Sequence, residues 1–193
     1  MKKRNNLSVK KQFKEAWSYI KESRKAIFFV VLIFFLRSLI GFFFSERFVF
    51  LDELLKSLVD ETEGFGVLEM IFFILQNNTQ TAFLSLLLGV FFGIFPIFNA
   101  ITNGVVLGYV LAKVHGISGI SDFWRILPHG IFELAAVFIA LGMGVRMGNV
   151  LLAKDKKKEL KRMLYLSLNA FFMIVLPLLI LAAVIEGLLI FFV

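Results

Sequence analysis

The sequence is poor in side chains that carry out chemistry. No cysteine occurs among its 193 residues, so disulfides, thiolate nucleophiles and cysteine-ligated metals are excluded. Only two histidines are present, and the chain has no phosphate-binding loop, no serine triad and no nucleotide fingerprint. We therefore expect a protein that is not an enzyme, with no catalytic residue, no bound metal and no cofactor.

Long apolar runs dominate the chain instead. Hydrophobic residues make up 59% of the sequence, its mean hydropathy is +0.86, and 25 residues are phenylalanine. A soluble domain averages roughly 45–50% apolar residues, and it has too little interior to bury unbroken runs such as 26–44 and 164–185. These runs predict an all-α fold, a polytopic helical bundle with about five transmembrane helices.

Residues 1–25 form a basic segment with an amphipathic pattern. Phe13, Trp17 and Ile20 recur at helical spacing, and lysines cover most of the remaining surface. This pattern predicts an interfacial helix on the membrane, with a solvated basic tail as the alternative. No small-residue cleavage site follows the first apolar run, so we expect a retained span and not a signal peptide.

Charge placement indicates how the chain is threaded through the bilayer. The net charge of +7 is concentrated beside apolar runs, which indicates contact with anionic lipid and not with nucleic acid. With lysine-rich segments inside, the N-terminus is cytoplasmic and the C-terminus extracellular in a multi-pass protein of the cell membrane. Fusing residues 81–113 into one crossing would place the lysine cluster of 154–162 outside.

The transmembrane domain is predicted to cover residues 26–193. We expect its spans at about 26–44, 81–95, 97–113, 128–150 and 164–193, with Pro177 kinking the last. A non-cytoplasmic segment, 45–68, contains leucines at helical spacing and is expected to pack on the bundle, and a cytoplasmic basic loop covers 151–163. Residues 65–80 are interfacial, re-entrant or part of the second span.

Small residues recur at the spacing that brings membrane helices together. Because lipid is as apolar as leucine, such helices associate through close packing, for which glycine is suited. Three Gly-xxx-Gly patterns fall in the second, third and fourth predicted spans. They comprise Gly89 and Gly93, Gly104 and Gly108, and Gly144 and Gly148. We expect these helices to form the tightly packed centre.

Ionisable groups within the spans need an explanation because each costs about 2.5–3.5 kcal/mol on insertion scales. Arg37 lies near the middle of the first span, and Glu133 and Glu186 lie in the outer parts of the fourth and last. The hypothesis is that Arg37 pairs with one of these carboxylates. His129 and Glu133 share a helix face, but two ligands are too few for a zinc site, which usually has three.

The polar and glycine motifs resemble those of the stage II sporulation protein M (SpoIIM) family. The resemblance covers roughly residues 25–192 and depends most on a PHGxxE element at a helix start. Its motifs comprise Asn77-Asn78, Asn103-Gly104 with Gly108, Pro128-His129-Gly130 with Glu133, and Gly142 with Gly144. It implies a five-span membrane protein, with His129, Glu133, Asn78 and Asn103 as the family's polar residues and no role assigned to them.

The resemblance also implies a function. In spore-forming bacteria the family member resembles a scaffold that holds peptidoglycan-degrading enzymes together during engulfment, without hydrolase activity of its own. We therefore expect a non-enzymatic assembly component whose partners are the lipid bilayer, other membrane or envelope proteins and, as a homo-oligomer, further copies of itself. The alternative is a transporter or channel-like permease that uses the polar residues at membrane depth. A third hypothesis, intramembrane hydrolysis by a His/Glu site, lacks a third ligand.

Overall fold

The structure, a computed structural model, describes the backbone of residues 2–118 and 123–192 and the side chains of 8–116 and 130–191. Of the residues whose backbone is described, 91% are helical, and none of them lies in a strand. The all-α prediction is therefore confirmed. In the described parts the α-helices are α1 Lys2–Glu22, α2 Arg24–Phe43, α3 Leu51–Thr62, α4 Val67–Leu88, α5 Ile94–Ser118, α6 Phe123–Met147, α7 Lys156–Ala170 and α8 Leu176–Phe192.

Five helical stretches of the described chain are long and apolar enough to cross a membrane, which confirms the predicted number. They are Arg24–Phe43, Val67–Leu88, Ile94–Gly116, Gly130–Leu152 and Lys156–Phe191. The first four have 20 to 23 residues, or about 30–35 Å at ~1.5 Å per residue, which matches a hydrocarbon layer of about 30 Å. The last has 36 residues, so a large part of α7 extends beyond the bilayer.

The second span differs from the prediction. Helix α4 begins at Val67 and ends at Leu88. Of the three alternatives for residues 65–80, the structure therefore matches the one that makes them part of the second span, and the bounds 67–88 replace the predicted 81–95. The polar run 76–81 resembled a break, but amide side chains do not interrupt a helix whose backbone hydrogen bonds are internal. The chain turns instead at 89–93, where Phe92 and Gly93 have φ of 57° and 71°.

The last span is interrupted next to its proline. Helix α7 passes through a π-helical turn, Phe171–Val175, into α8, and Pro177 is the second residue of α8. Proline has no amide hydrogen for the carbonyl four residues before it, and the wider π turn accommodates the lost hydrogen bond. The backbone irregularity therefore lies just before Pro177.

Helix α1 packs across α7 at one end of the bundle, here called the basic end because both helices are rich in lysine. The Ser167 hydroxyl donates to the Tyr19 hydroxyl oxygen at 3.1 Å, and the Asn169 amide donates to the Gln12 carbonyl at 2.8 Å. Ile20 is buried, whereas Phe13 and Trp17 are exposed. The predicted single apolar face is therefore divided, with Ile20 toward the bundle and the two aromatic rings on the outer surface.

Glycines allow the helix backbones to touch in the centre of the bundle. A Cβ on Gly108 of α5 would meet the carbonyl oxygen of Ser38 on α2, and one on Gly104 would meet that of Phe34. The contacts advance in the same direction along both helices, so α2 and α5 run parallel. At the basic end, Gly144 of α6 lies against Gly89 after α4, and Gly148 lies against the turn at Gly93.

Candidate functional site between helices α4, α6 and α8

Two carboxylates and an asparagine meet where α4, α6 and α8 pack together. Glu133 lies on α6, and the Asn78 side chain of α4 is within hydrogen-bonding reach of its carboxylate. Both side chains are partly buried. Because α4 is continuous through the polar run, Asn78 lies near the middle of this helix.

Glu186 completes the cluster from α8. Its carboxylate is close enough to that of Glu133 for the two to interact electrostatically. Glu186 Oε2 and Thr79 Oγ1 are buried and have no hydrogen-bond partner in the described part of the chain. The adjacent Gly187 brings α8 onto α4, because a Cβ there would meet the side chain of Ile71.

This geometry limits the chemistry of the cluster. Two carboxylates at membrane depth repel each other when both are ionised, and neither has a basic partner among the described residues. The pair is suited to sharing a proton or meeting a cation. In the same described residues, no group of three or more His, Cys, Asp or Glu side chains is arranged to hold a metal.

Arg37 does not form the predicted ion pair. The side chains of Arg37, Glu133 and Glu186 are all described, and no salt bridge joins Arg37 to either carboxylate. Arg37 is exposed on α2, beside Gly104 of α5. The helix ends six positions further on, at Phe43, about 9 Å away at ~1.5 Å per residue. The long side chain of Arg37 can therefore reach the interface by snorkelling.

The remaining predicted polar residues lie apart from the carboxylates. The Asn103 amide donates to the Asn99 side-chain oxygen on its own helix at 2.7 Å, and Asn103 is exposed. The backbone of His129 is in α6, but its side chain lies outside the described residues. The structure therefore brings together Asn78, Glu133 and Glu186, and it leaves Arg37 and Asn103 on another face.

A group of polar contacts at the basic end is centred on Arg146, a residue that was not singled out from the sequence. Its guanidinium donates to Glu22 at 2.7 Å and to the Ser23 hydroxyl at 3.3 Å, and it lies 4.7 Å from the centre of the Tyr19 ring. Arg146 thus fixes the junction between α1 and α2. Burial raises the pKa of Tyr19, which keeps the phenol neutral in this site. No signal within the sequence joins residues so far apart in the chain.

A second missed contact lies at the opposite end of the bundle, here called the acidic end because it carries α3. The Tyr109 hydroxyl donates to Asp52 Oδ1 at 2.6 Å, and the Lys113 ammonium donates to Oδ2 at 2.9 Å. These bonds join the first turn of α3 to α5. The hydrogen bond from Tyr109, followed by that from Lys113, lowers the pKa of Asp52 below its ordinary value.

These features define a polytopic α-helical membrane protein with a glycine-packed centre and a polar cluster inside it. Within that class, the family model described as stage II sporulation protein M (SpoIIM) matches residues 26–189. The chain belongs to the SpoIIM family, as its motifs indicated. No curated protein and no solved structure matches the chain significantly.

Proposed function

We propose that this protein is a non-enzymatic scaffold that assembles a complex in the membrane. Membership of the SpoIIM family supports the proposal, because the resemblance implies a scaffold for enzymes that remodel the cell wall. The observation that supports it most directly is the exposure of α3. This amphipathic helix lies outside the spans, and its apolar face is largely uncovered.

Helix α3 is attached to the bundle mainly through its first turn. Leu51 is buried there, and Asp52 is held by Tyr109 and Lys113. Further along the same face, Leu54 and Leu58 are 49% and 40% exposed. The sequence predicted that this segment packs on the bundle, whereas most of α3 is free of such contacts. An apolar helix face presented in this way is suited to binding a partner.

Charge indicates which partner fits this helix. Its acidic residues flank the leucines and comprise Asp52, Glu53, Asp60 and Glu61. The lysines of α1 and α7 lie at the opposite end, and by the positive-inside tendency they face the cytoplasm. The partner is then an envelope protein outside the cytoplasm, with an apolar groove bordered by basic residues.

The test is capture of partners from native membranes in mild detergent. The chain with Leu54→Ser and Leu58→Ser is compared with a matched control carrying Lys56→Ser and Ser57→Ala, which are exposed on the polar side of α3. We expect the unaltered chain and the control to retain an envelope protein that the leucine variant loses. Capture of this chain alone, or equal capture by all three, would contradict the scaffold function.

A transporter or permease is the second candidate, and the carboxylate cluster favours it. Glu133 and Glu186 lie at membrane depth with Asn78, and a shared proton or cation could move with a substrate. A Glu133→Gln variant keeps the shape and the hydrogen bond to Asn78. Transport is the function if this variant folds and captures the partner normally, but its vesicles lose a proton-dependent substrate uptake that vesicles of the unaltered chain show. If vesicles of the unaltered chain show no uptake, this candidate is excluded.

A further inference from the structure

Helix α4 carries an uncovered row of amides at the centre of the membrane. Gln76 and Gln80 are exposed, one helical turn apart, and both lie within about 4 Å of the helix midpoint at ~1.5 Å per residue. Neither side chain has a hydrogen-bond partner in the described part of the chain. The mean hydropathy of α4 is 1.2, against 1.6 to 2.8 for the other four candidate spans.

The amide groups of Gln76 and Gln80 require hydrogen-bond partners at this depth. Lipid tails offer no hydrogen bonds, so an amide at this depth gains free energy when another polar group covers it. The neighbouring amide of Asn77 points elsewhere and donates a long hydrogen bond of 3.5 Å to the side chain of Asn78. Among the amide side chains of α4, Gln76 and Gln80 are therefore the two without a hydrogen-bond partner in the described part of the chain.

A groove runs beside the two glutamines. It has a volume of about 450 Å³, is open toward the lipid, and lies between α4 and the π turn that leads into α8. Its walls include Gln76 and Gln80 together with Phe171 and Phe172. Phe72, one turn from Gln76 on the same face, also borders it and is 69% exposed. A projecting ring and a hollow are thus present side by side on one surface.

We propose that a second copy of this chain covers this face, which makes α4 the centre of a symmetric dimer. Copies inserted in the same orientation are related by a two-fold axis along the membrane normal, so each glutamine meets its equivalent at the same depth. The amide group is self-complementary because it both donates and accepts hydrogen bonds. Phe72 of each copy then lies at the depth of the groove of the other.

This dimer deepens the proposed scaffold function, because two copies would present two α3 helices to partners. It does not depend on that function, however. A purified dimer that captures no envelope protein would leave the dimer intact while excluding the scaffold. A purified monomer that still captures an envelope protein would exclude the dimer and leave the scaffold function intact.

The first test is the mass of the purified full-length chain in detergent micelles and in lipid nanodiscs. We expect twice the 22.0 kDa of the single chain. The double variant Gln76→Leu with Gln80→Leu should remain folded and associate about tenfold or more weakly, because it loses the amide contacts. Asn77→Leu is the matched control, with an amide at the same depth outside the groove, and should stay dimeric. A monomeric unaltered chain, or a double variant that associates normally, would overturn the proposal.

The second test needs no purification and guards against a misfolded variant. Because the chain has no cysteine, a single introduced cysteine reports one position, and a disulfide requires two Cα atoms within about 7 Å. Gln76→Cys and Gln80→Cys should form oxidised dimers in native membranes. Leu32→Cys, near the middle of α2 and also exposed, should not. Equal cross-linking at all three positions, or none at residues 76 and 80, would contradict a dimer through α4.

Discussion

The contact between α2 and α5 and the open face of α4 lie at similar depths, but one is closed by helix packing whereas the other leaves polar groups uncovered. In the first, Gly104 and Gly108 bring the backbone of α5 into close contact with that of α2. In the second, Gln76 and Gln80 present hydrogen-bonding groups that nothing in the described chain covers. The difference indicates that the first contact holds a single chain together, whereas the second face is suited to assembly.

The largest predicted effect comes from filling the close contact. In Gly108→Leu the new Cβ would meet the carbonyl oxygen of Ser38, and the backbone nitrogen of Phe42 would lie only 2.8 Å away. Backbone atoms in packed helices cannot move aside as a flexible side chain can, so the helices must separate. We expect a loss of about 3 kcal/mol or more in the free energy of unfolding, measured by denaturation in micelles.

The control for this variant lies on the same helix. Around Gly116 no atom of the described structure is within 4 Å of an added Cβ, so Gly116→Leu should change the free energy of unfolding by less than about 0.5 kcal/mol. If both leucines are tolerated equally, the backbone contact between α2 and α5 does not stabilise the fold.

A smaller effect is expected where polar side chains inside the fold already have partners. The Tyr19 hydroxyl accepts a hydrogen bond from Ser167, and both residues are buried. Tyr19→Phe leaves the serine unpaired and should lower the free energy of unfolding by about 1–3 kcal/mol. Tyr165→Phe removes the same hydroxyl from a side chain that is 56% exposed, and it should have almost no effect. Equal stability of the two variants would contradict a role for this bond in holding α1 on α7.

The sequence predicts the helices better than their contacts because each depends on a different kind of information. Apolar runs are local, so the number of spans and the all-α fold follow from them. The start of α4 was predicted too late because the polar run 76–81 was interpreted as the boundary of the second span, although the helix continues through it. The pairing of Arg37 failed for another reason. Packing across the bundle decides which helix faces are in contact, and the spacing of residues within one helix does not predict it.

The same limit applies to the candidate site. Glu133 and Glu186 were identified because a carboxylate in an apolar run is visible in the sequence, but their proximity to each other and to Asn78 depends on how α4, α6 and α8 pack. Arg146 was not singled out, because an arginine near the end of an apolar run can reach the interface by snorkelling and needs no partner inside the protein. Its partners, Glu22 and Ser23, lie more than a hundred positions earlier in the chain.

The smallest predicted effect concerns the contact that attaches α3 to the bundle, which, unlike the glycine contact, depends on charge. The bonds from Tyr109 and Lys113 favour the ionised form of Asp52 and place its pKa below the ordinary value of 3.8. A carboxylate with a lowered pKa in the folded state stabilises that state above the unfolded pKa, and this stabilisation is lost as the pH falls through the folded pKa. The attachment should therefore persist at neutral pH and weaken only below pH 3.8.

A nitroxide label at Glu61→Cys, near the far end of α3, measures this attachment by its mobility, since the chain has no other cysteine. Mobility should be constant between about pH 7 and pH 5 and rise only below pH 3.8. Asp52→Asn should raise it at neutral pH and remove the pH dependence, because the amide carries no charge for Lys113 at any pH. Glu53→Gln, which alters the adjacent carboxylate, is the control and should leave the profile unchanged. If the mobility of the label does not respond to Asp52→Asn, the first turn of α3 is held by the burial of Leu51 alone.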